Sequence, residues 1–253
     1  MAEATAAWRE TCVVGSDVLR ALLYCGLAAA ASGCVADAGG GAGQGEDALT
    51  ALGPEAYRAY AALATEGGAA PVAGTVTVLG LRGLSIDGAS HGTTFGHAFD
   101  DTIVVFRADG ASVLRFAGST HPFELRGVPG VPDVNGDRVA DVGMIRPGVY
   151  DVAGRDRTIA GVASYAVTQQ GSGKLPGWRD VDHDGVLSDA ERAASEQRRD
   201  GLTDILFHQG DGPSAPAAVG CQVLPSTTIR SFITAVGGGH ARFRYVLVDM
   251  TGR

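Results

Sequence analysis

The residues with the clearest capacity for chemistry in this sequence are a histidine, His208, and a cysteine, Cys221. His208 ends an apolar run that is typical of a buried strand, and Cys221 follows Gly220 after a loop of glycine, proline and alanine. A thiol becomes a nucleophile when a nearby base or cation favours its thiolate form. Glycine beside a nucleophile lets backbone N–H groups approach the reacting carbonyl oxygen. The pattern therefore predicts a catalytic site made of Cys221, His208 and Gly220.

This part of the chain resembles the L,D-transpeptidase catalytic domain of bacterial cell-wall enzymes. The resemblance rests on the His208-x-Gly210 element, the later Gly220-Cys221 pair, and a following helix and closing strand. It implies that Cys221 accepts an acyl group from a peptidoglycan stem peptide, that His208 is the base, and that the Gly220 and Cys221 N–H groups bind the oxyanion. The acyl group would then pass to an amine or to water, so peptidoglycan is the expected partner.

The residues around the cysteine depart from that family's pattern. Residues 218–219 are Ala-Val where the family commonly has Ser/Thr-His, and Val223 stands where it commonly has arginine. Arg230 is a candidate replacement for that arginine. The group that would orient the catalytic histidine stays open, with Asp211 and Ser214 as candidates.

A second kind of chemistry is indicated by residues 180–191, which fit the EF-hand calcium loop. Calcium takes about six to eight oxygen ligands, and such a loop supplies them at fixed positions with a glycine at the sharp turn. The matching ligands here are Asp180, Asp182, Asp184, the Val186 carbonyl, Ser188 and Glu191. Gly185 occupies the turn, and the preceding residues 175–178 are not helical in pattern. The sequence predicts half an EF-hand that binds structural Ca²⁺, with a bare acidic turn as the alternative.

Residues 133–141 form a looser acidic loop. Its candidate cation ligands are Asp133, Asn135, Asp137 and Asp141. Their spacing resembles that of short calcium loops, but Arg138 stands where such loops usually have glycine. An Asx turn, in which these side chains accept hydrogen bonds from nearby backbone N–H groups without a metal, is the open alternative.

The start of the chain has the pattern of an export signal. Arg20 precedes an apolar run that ends in small residues at 32–34, and this run is too short to span a membrane. The sequence predicts a signal peptide at 1–33. The small residues directly before Cys34 resemble a bacterial lipobox, which implies a lipid attached to Cys34, with plain secretion after cleavage near Ala31 as the alternative. The mature protein is therefore expected in the cell envelope or periplasm, anchored to a membrane by that lipid.

Residues 34–52 are rich in glycine and alanine, and we expect them to form a flexible tether. Loss of the signal peptide would remove Cys12 and Cys25, and the lipid would occupy Cys34. Cys221 would then be the one free thiol of the mature chain. An unpaired cysteine in an exported protein indicates a reactive thiol, although a buried structural cysteine is the alternative.

The composition favours a mainly β fold of the β-rich α+β class. Glycine is abundant, with 38 residues, and aromatic residues make up only 6%, which suits short strands joined by turns. The family resemblance implies an L,D-transpeptidase-like β-sandwich with short helices and calcium-loop insertions over residues 72–253, after a helix and linker at 53–71. The formal charge of −8 argues against a surface that binds nucleic acid.

The periodicity of apolar residues predicts the elements that position these groups. Strands are expected at 75–79, 102–106, 112–116, 158–168, 203–208 and 243–249, and helices at 54–64, 191–199 and 227–236. The Asp109-Gly110 pair predicts a hairpin turn between the second and third strands. Ser188 is expected to cap the helix that follows the 180–191 loop.

Three alternatives to catalysis remain at this point. The first is a non-catalytic, secreted calcium-binding lipoprotein of the envelope, with Cys221 and His208 in its core. The second is a substrate-binding or wall-anchoring lipoprotein that has lost activity. The third is a transition-metal site near residues 100–101 with His91 and His97, although isolated histidines in a glycine-rich loop are more often structural. Thiol reactivity separates catalysis from binding, because a catalytic cysteine is expected to react well below about pH 8.5.

Overall fold

The computed structural model describes residues 52–96, 99–109, 112–169, 171, 173–210 and 218–253. The predicted signal peptide, the tether up to residue 51, Cys34, His97, Asp211 and Ser214 lie outside the described residues. Within the described ranges, no helix combines the length and the apolar character that crossing a membrane requires.

The described residues form eleven strands and three helices. In chain order these are α1 (Pro54–Glu66), β1 (Val76–Arg82), β2 (Asp101–Arg107), β3 (Val113–Gly118), β4 (Gly143–Ile145), β5 (Gly148–Ile159), β6 (Val162–Thr168), β7 (Leu175–Arg179), α2 (Asp189–Arg198), β8 (Gly201–Leu202), β9 (Leu206–Gly210), β10 (Gln222–Pro225), α3 (Ile229–Val236) and β11 (Arg242–Asp249). The strands and helices expected from periodicity are present with shifted ends, except that the segment expected as one strand at 158–168 is divided between β5 and β6.

Eight strands form one mixed sheet in the order β10-β9-β6-β5-β11-β1-β2-β3. The β1–β11 and β9–β10 pairs are parallel, and the other neighbours are antiparallel. The two ends of the sheet meet, because Ser119, directly after β3, exchanges backbone hydrogen bonds of 2.9 and 3.0 Å with Val223 of β10. The mainly β class with short helices is confirmed, but one sheet closed on itself stands where two stacked sheets were expected.

Both faces of the closed sheet are buried, each against a different partner. On the inner face, Phe207 and Tyr245 pack with Phe232 of α3 in an aromatic cluster. On the outer face of β11, β1 and β2, apolar side chains such as Leu79 pack against Leu63 of α1. Helix α1 therefore covers the outer face of these three strands. On the outer face of β10, Val223 belongs to a separate cluster, against which the loop residues Phe99 and Phe123 pack.

The segment expected as one strand at 158–168 is a hairpin. β5 ends at Ile159 and β6 begins at Val162. Between them, Ala160 and Gly161 have φ angles of 49° and 74°, in the left-handed region that a tight turn uses and a strand does not. The apolar pattern was correct on both sides of this turn, and the turn itself was missed because alanine is a weak turn signal.

A second, three-stranded sheet, β4-β7-β8, carries the two acidic loops. Gly143 of β4 pairs with Arg179 of β7, and the 180–191 loop begins directly after Arg179. The buried Arg179 guanidinium donates to the carbonyl oxygens of Asp141 (2.7 Å) and Gly201 (3.0 Å). These bonds hold the ends of the two loops and the start of β8 together.

Candidate functional site

His208 lies in β9, and Cys221 directly precedes β10, the parallel neighbour of β9. In the register of β9 and β10, Phe207 lies opposite Gln222 and His208 lies opposite Val223. Side chains alternate between the two faces of a strand, so Cys221 projects from the same outer face as Val223 and His208. The packing agrees, because Cys221 and Val223 share an apolar cluster while Phe207 belongs to the inner core. Both predicted residues thus share one face and are diagonal neighbours on it.

The His208 side chain is buried and is oriented by a backbone carbonyl. Its Nδ1 lies 2.7 Å from the carbonyl oxygen of Gln209. Because a carbonyl oxygen only accepts, Nδ1 carries the proton and Nε2 presents a lone pair. Burial lowers the pKa of His208 below 6.5, against the opposing effect of the Gln209 bond. The ring is therefore neutral at neutral pH, which is the form a general base needs.

The orienting group is one that sequence reasoning missed. Asp211 and Ser214, the candidates from the sequence, lie outside the described residues. The carbonyl of Gln209 holds the imidazole instead. No sequence signal marks this group, because every residue carries a backbone carbonyl and only the geometry shows which one is used.

The Cys221 side chain is 8% exposed and packs against Val223. Burial raises the pKa of its thiol from 9.0 to about 11, since a thiolate loses solvation in apolar surroundings. The Sγ atom donates a long hydrogen bond of 3.8 Å to the carbonyl of Asp204. Among the described residues, no hydrogen bond joins the thiol to His208. The direction of this pKa shift is opposite to the one expected from the sequence.

Gly220 is required by backbone geometry. Its φ is +128°, and a Cβ at this position would collide with the carbonyl oxygen of Gly143 and lie 3.3 Å from Ile205 Cδ1. The expected close approach of a backbone to this glycine is therefore real, but the partner is strand β4 of the small sheet. The turn into β10 is built on that strand, which fixes the position of Cys221.

Two arginines differ in their relation to the thiol. Arg230 is exposed on α3, and the buried residues of that helix, among them Ile229, belong to the inner core. The structure gives no contact between Arg230 and Cys221 among the described residues, and its role as the replacement arginine stays a prediction. Arg155, half-buried in β5, is instead a cation whose charge acts to lower the pKa of the Cys221 thiol, although burial outweighs it.

In the acidic loop before α2, the first aspartate accepts hydrogen bonds from the backbone of later loop residues. Asp180 accepts hydrogen bonds from the N–H groups of His183 (2.8 Å) and Gly185 (2.9 Å). Gly185 has a φ of +81°, in the left-handed region that glycine adopts without strain. One oxygen each of Asp180, Asp182 and Asp184 lies within 4.8 Å of the others. These carboxylates could hold a metal ion.

The remaining expected ligands of this loop have protein partners. Glu191 accepts hydrogen bonds from the N–H groups of Val181 (2.8 Å) and Ser188 (2.9 Å). The Ser188 hydroxyl accepts from the Glu191 N–H at 3.2 Å, so the expected cap of α2 is present as a capping box. Val186 is largely exposed and forms a bridge with Thr94. The Ser188 side chain therefore serves the helix.

Electrostatics in this loop are unfavourable without a cation. Asp180 is fully buried, and burial, together with the charges of Glu191 and Asp182, raises its pKa from 3.8 to about 6 against the opposing backbone hydrogen bonds. Like charges brought this close repel one another. A bound divalent cation would remove that cost.

The 133–141 loop makes the contacts of an Asx turn. Asp133 accepts from the N–H groups of Gly136 (2.6 Å) and Arg138 (2.8 Å). Asn135 accepts from the N–H of Asp137 at 2.9 Å. Arg138 stands where short calcium loops usually have glycine. Its φ of 74° lies in the left-handed region that glycine adopts without strain. The side chains of this loop are therefore used by its own backbone.

Asp141 is the exception in that loop. It is fully buried, its Oδ2 accepts from the N–H of Val134 at 2.5 Å, and its Oδ1 accepts no hydrogen bond from the described residues. That oxygen lies 3.6 Å from Nε2 of His183, in the other acidic loop. The Asn135 side chain also donates to the carbonyl of Val181 at 2.7 Å. The two acidic loops thus pack on each other through the Asn135–Val181 hydrogen bond and the Asp141–His183 ion pair.

A histidine–aspartate cluster forms near residue 100, with a different membership from the expected one. Ligand atoms of His91, Asp100 and Asp101 lie within 4.8 Å of one another. His121 joins them, with Nε2 2.8 Å from Asp100 Oδ1 and Nδ1 3.1 Å from the carbonyl of Pro122. Burial acts to lower the pKa of His121, but these acceptors raise it overall. Both of its ring nitrogens face acceptors, so His121 is part of an ion-pair network with Asp100.

Comparison with known proteins gives no further assignment. No protein-family model matches this sequence, and no curated protein matches it.

Proposed function

We propose that the protein is a cell-wall cysteine acyltransferase of the L,D-transpeptidase or L,D-carboxypeptidase type, acting on peptidoglycan stem peptides. The observation that carries the proposal is the shared outer face of His208, in β9, and Cys221, directly before the paired strand β10. The neutral His208 ring, with its proton held on Nδ1, adds support. The proposal includes export to the envelope and a lipid on Cys34.

In the proposed reaction, the Cys221 sulfur attacks the amide carbonyl that joins a diamino-acid residue to D-alanine. His208 Nε2 takes the thiol proton, and the Gln209 carbonyl keeps the other ring proton on Nδ1. The backbone N–H of Cys221 donates to the oxyanion. His208 then protonates the leaving amine of D-alanine as the C–N bond breaks, which leaves a thioester. An amine resolves the thioester into a crosslink, and water resolves it into a shortened peptide.

The high pKa of the thiol gives the base a necessary role. With a pKa of about 11, roughly one Cys221 thiol in ten thousand is ionised at pH 7. A preformed thiolate is therefore a minor species. Removal of the proton by His208 in step with attack on the carbonyl avoids forming that thiolate first.

The proposal also assigns Ca²⁺ to the 180–191 loop. Asp180, Asp182, Asp184 and the Val186 carbonyl would hold the ion, and Glu191 would turn to it from the loop backbone. Water would complete the roughly six to eight oxygens that calcium takes, because the Ser188 hydroxyl caps α2. Convergence of three carboxylates supports the assignment, and its role is structural.

A second, weaker cation site is proposed in the 133–141 loop, with Asp133, Asn135, Asp137 and Asp141 as ligands. The buried Asp141 Oδ1, which accepts no hydrogen bond from the described residues, supports it. The Asx-turn contacts of the other three residues oppose it, because those oxygens already accept from backbone N–H groups.

A non-catalytic calcium-binding envelope lipoprotein is the second candidate. The burial of Cys221 and the raised pKa of its thiol favour it, because inert structural cysteines have these properties. In that case the 180–191 loop would carry the function and the Cys221 face would be core.

Release of D-alanine from a peptidoglycan tetrapeptide separates the two candidates. The full chain is incubated with the tetrapeptide in calcium, and mass spectrometry follows D-alanine and the shortened or crosslinked product. Turnover by the wild type that is lost in Cys221→Ser supports the acyltransferase. No turnover in the presence of calcium supports the binding protein.

A further inference from the structure

We infer that cation binding in the 180–191 loop controls the geometry and accessibility of the Cys221 site, because the loop and the Gly220–Cys221 turn rest on the same strand, β4. This inference deepens the proposed function and rests on it for its biological meaning. The coupling depends on packing between the loop and the Cys221 site, so it can be tested without measuring release of D-alanine.

The backbone connection between the two regions is short. Gly143 of β4 pairs with Arg179, the residue before the loop, and the Asp180 N–H donates to the Val142 carbonyl at 3.1 Å. On its other side, the Gly143 carbonyl packs so closely against Gly220 that no Cβ fits there. One strand therefore contacts both the first ligand of the loop and the turn before the thiol.

Side chains join the same two regions. Leu187, inside the loop, is buried in a cluster with Met144 and Trp178, and Val219 packs against that cluster. Val219 lies two residues before Cys221. A change in the position of Leu187 therefore alters the surface on which the Gly220 turn is packed, because close-packed interiors transmit displacements.

A second route passes through the segment after β3. The loop residue Gly185 would meet Leu125 if it carried a Cβ, so the two are in close contact. Two residues earlier, the N–H of Phe123 donates to the Ala218 carbonyl at 2.8 Å, and Phe123 packs against the cluster that contains Cys221. Phe123, which packs against the Cys221 cluster, therefore belongs to a segment that contacts the 180–191 loop.

The loop has a reason to change shape with its cation. Without an ion, three carboxylates converge within 4.8 Å, and the buried Asp141 Oδ1 faces His183 of the same loop at 3.6 Å without a hydrogen bond from the described residues. His183, between two residues of the carboxylate cluster, therefore also contacts the neighbouring acidic loop. Binding replaces repulsion by ligation, so the loop and the strand before it become tighter.

The test measures alkylation of Cys221 in the full chain with and without calcium. Iodoacetamide is the probe, and peptide mapping by mass spectrometry follows Cys221 separately from the other cysteines. Chelation is expected to speed alkylation by about fivefold or more, the low end of ordinary coupling between sites, because the cover of the thiol loosens. Calorimetry measures calcium binding in the same samples, and the midpoints of the two titrations should coincide.

Two variants separate coupling from binding. Leu187→Ala removes the packing link and no ligand, so calcium should still bind while its effect on alkylation shrinks; Val72→Ala, at an exposed position, is the control. Asp182→Asn removes an exposed ligand, so both midpoints should move together to higher calcium; Glu55→Gln on α1 is its control. Thermal melting confirms that each variant is folded.

The outcomes distinguish this inference from the proposed function. Calcium binding with an unchanged alkylation rate overturns the coupling and leaves the acyltransferase standing. No calcium binding overturns the coupling together with the calcium assignment. Calcium-dependent alkylation without any release of D-alanine upholds the coupling and overturns the acyltransferase.

Discussion

The Cys221 face and the 180–191 loop differ in the charge of their ionisable groups. On the Cys221 face, burial raises the pKa of the thiol and lowers that of His208, so both groups are neutral at rest. In the loop, the carboxylate of the buried Asp180 and those of the exposed Asp182 and Asp184 converge and repel one another. The groups of the first region stay neutral until a proton is transferred, whereas the carboxylates of the second repel one another until a cation binds. Their chemistry should therefore respond to different perturbations.

The strongest separation of the two regions comes from Cys221→Ser. D-alanine release should fall by about a thousandfold or more, because the hydroxyl is a far weaker nucleophile without strong activation. Calcium affinity measured by calorimetry should not change, since no loop ligand is altered. Substantial turnover in this variant would mean that another group accepts the acyl chain.

His208→Asn tests the base. The rate of D-alanine release should fall by about a hundredfold to ten-thousandfold, the range a general base contributes. His240→Asn, at an exposed position near the end of the chain, is the matched control and should retain the wild-type rate. Equal activity of the two variants would remove His208 from the mechanism.

The pH dependence of alkylation reports the condition of the thiol directly. Because burial raises its pKa from 9.0 to about 11, the thiolate fraction near pH 7 should be about a hundredfold below that of an ordinary cysteine. The alkylation rate of calcium-loaded protein should therefore keep rising between about pH 8 and 11. A plateau near pH 8 would show an activated thiol and a different local structure.

Calcium removal should act on stability. A ligand at a hundred times its Kd stabilises the folded state by about 2.7 kcal/mol. For a domain of this size, each kcal/mol corresponds to about 2–4 °C in Tm, so chelation should lower Tm by roughly 5–10 °C. Differential scanning calorimetry with and without chelator measures this, and Asp180→Asn should abolish most of the difference. An unchanged Tm would contradict a structural calcium site.

The smallest expected effect concerns the turn that joins the regions. Gly220→Ala combines a positive φ with a collision against the Gly143 carbonyl, whereas Gly130→Ala has a positive φ of 99° and open space. The first variant should lose about 1–3 kcal/mol more stability than the second, the usual range for overpacking. Urea unfolding of both variants measures the difference, and equal losses would show that Gly220 is not pressed on β4.

The two regions also differ in how far the sequence predicts them. Asp180, Asp182 and Asp184 are close in sequence, so their spacing alone predicts their convergence, and Gly185 adopts the turn that its position requires. The shared face of His208 and Cys221 depends on the register of two strands joined by a loop. The ends of the predicted strands indicate that register only approximately. The sequence pattern therefore identifies His208 and Cys221, but it predicts neither the distance between them nor their burial.

Other features could not be read from the chain because they depend on distant partners. The meeting of Ser119 with Val223, which closes the sheet, joins segments far apart in sequence. The raised pKa of the Cys221 thiol follows from packing that involves several strands and loops. The packing of Gly220 on Gly143 could be expected only as some close approach, since a glycine does not specify its neighbour.

Acyl-enzyme formation tests the central claim most directly. The full chain, loaded with calcium, is mixed with a peptidoglycan tetrapeptide, quenched in acid and measured by intact-protein mass spectrometry, with peptide mapping to find the modified residue. The proposed mechanism predicts a tripeptide acyl group on Cys221, D-alanine released in equal amount, and neither in Cys221→Ser. An unmodified Cys221 with no free D-alanine, in protein shown by calorimetry to bind calcium, would contradict it.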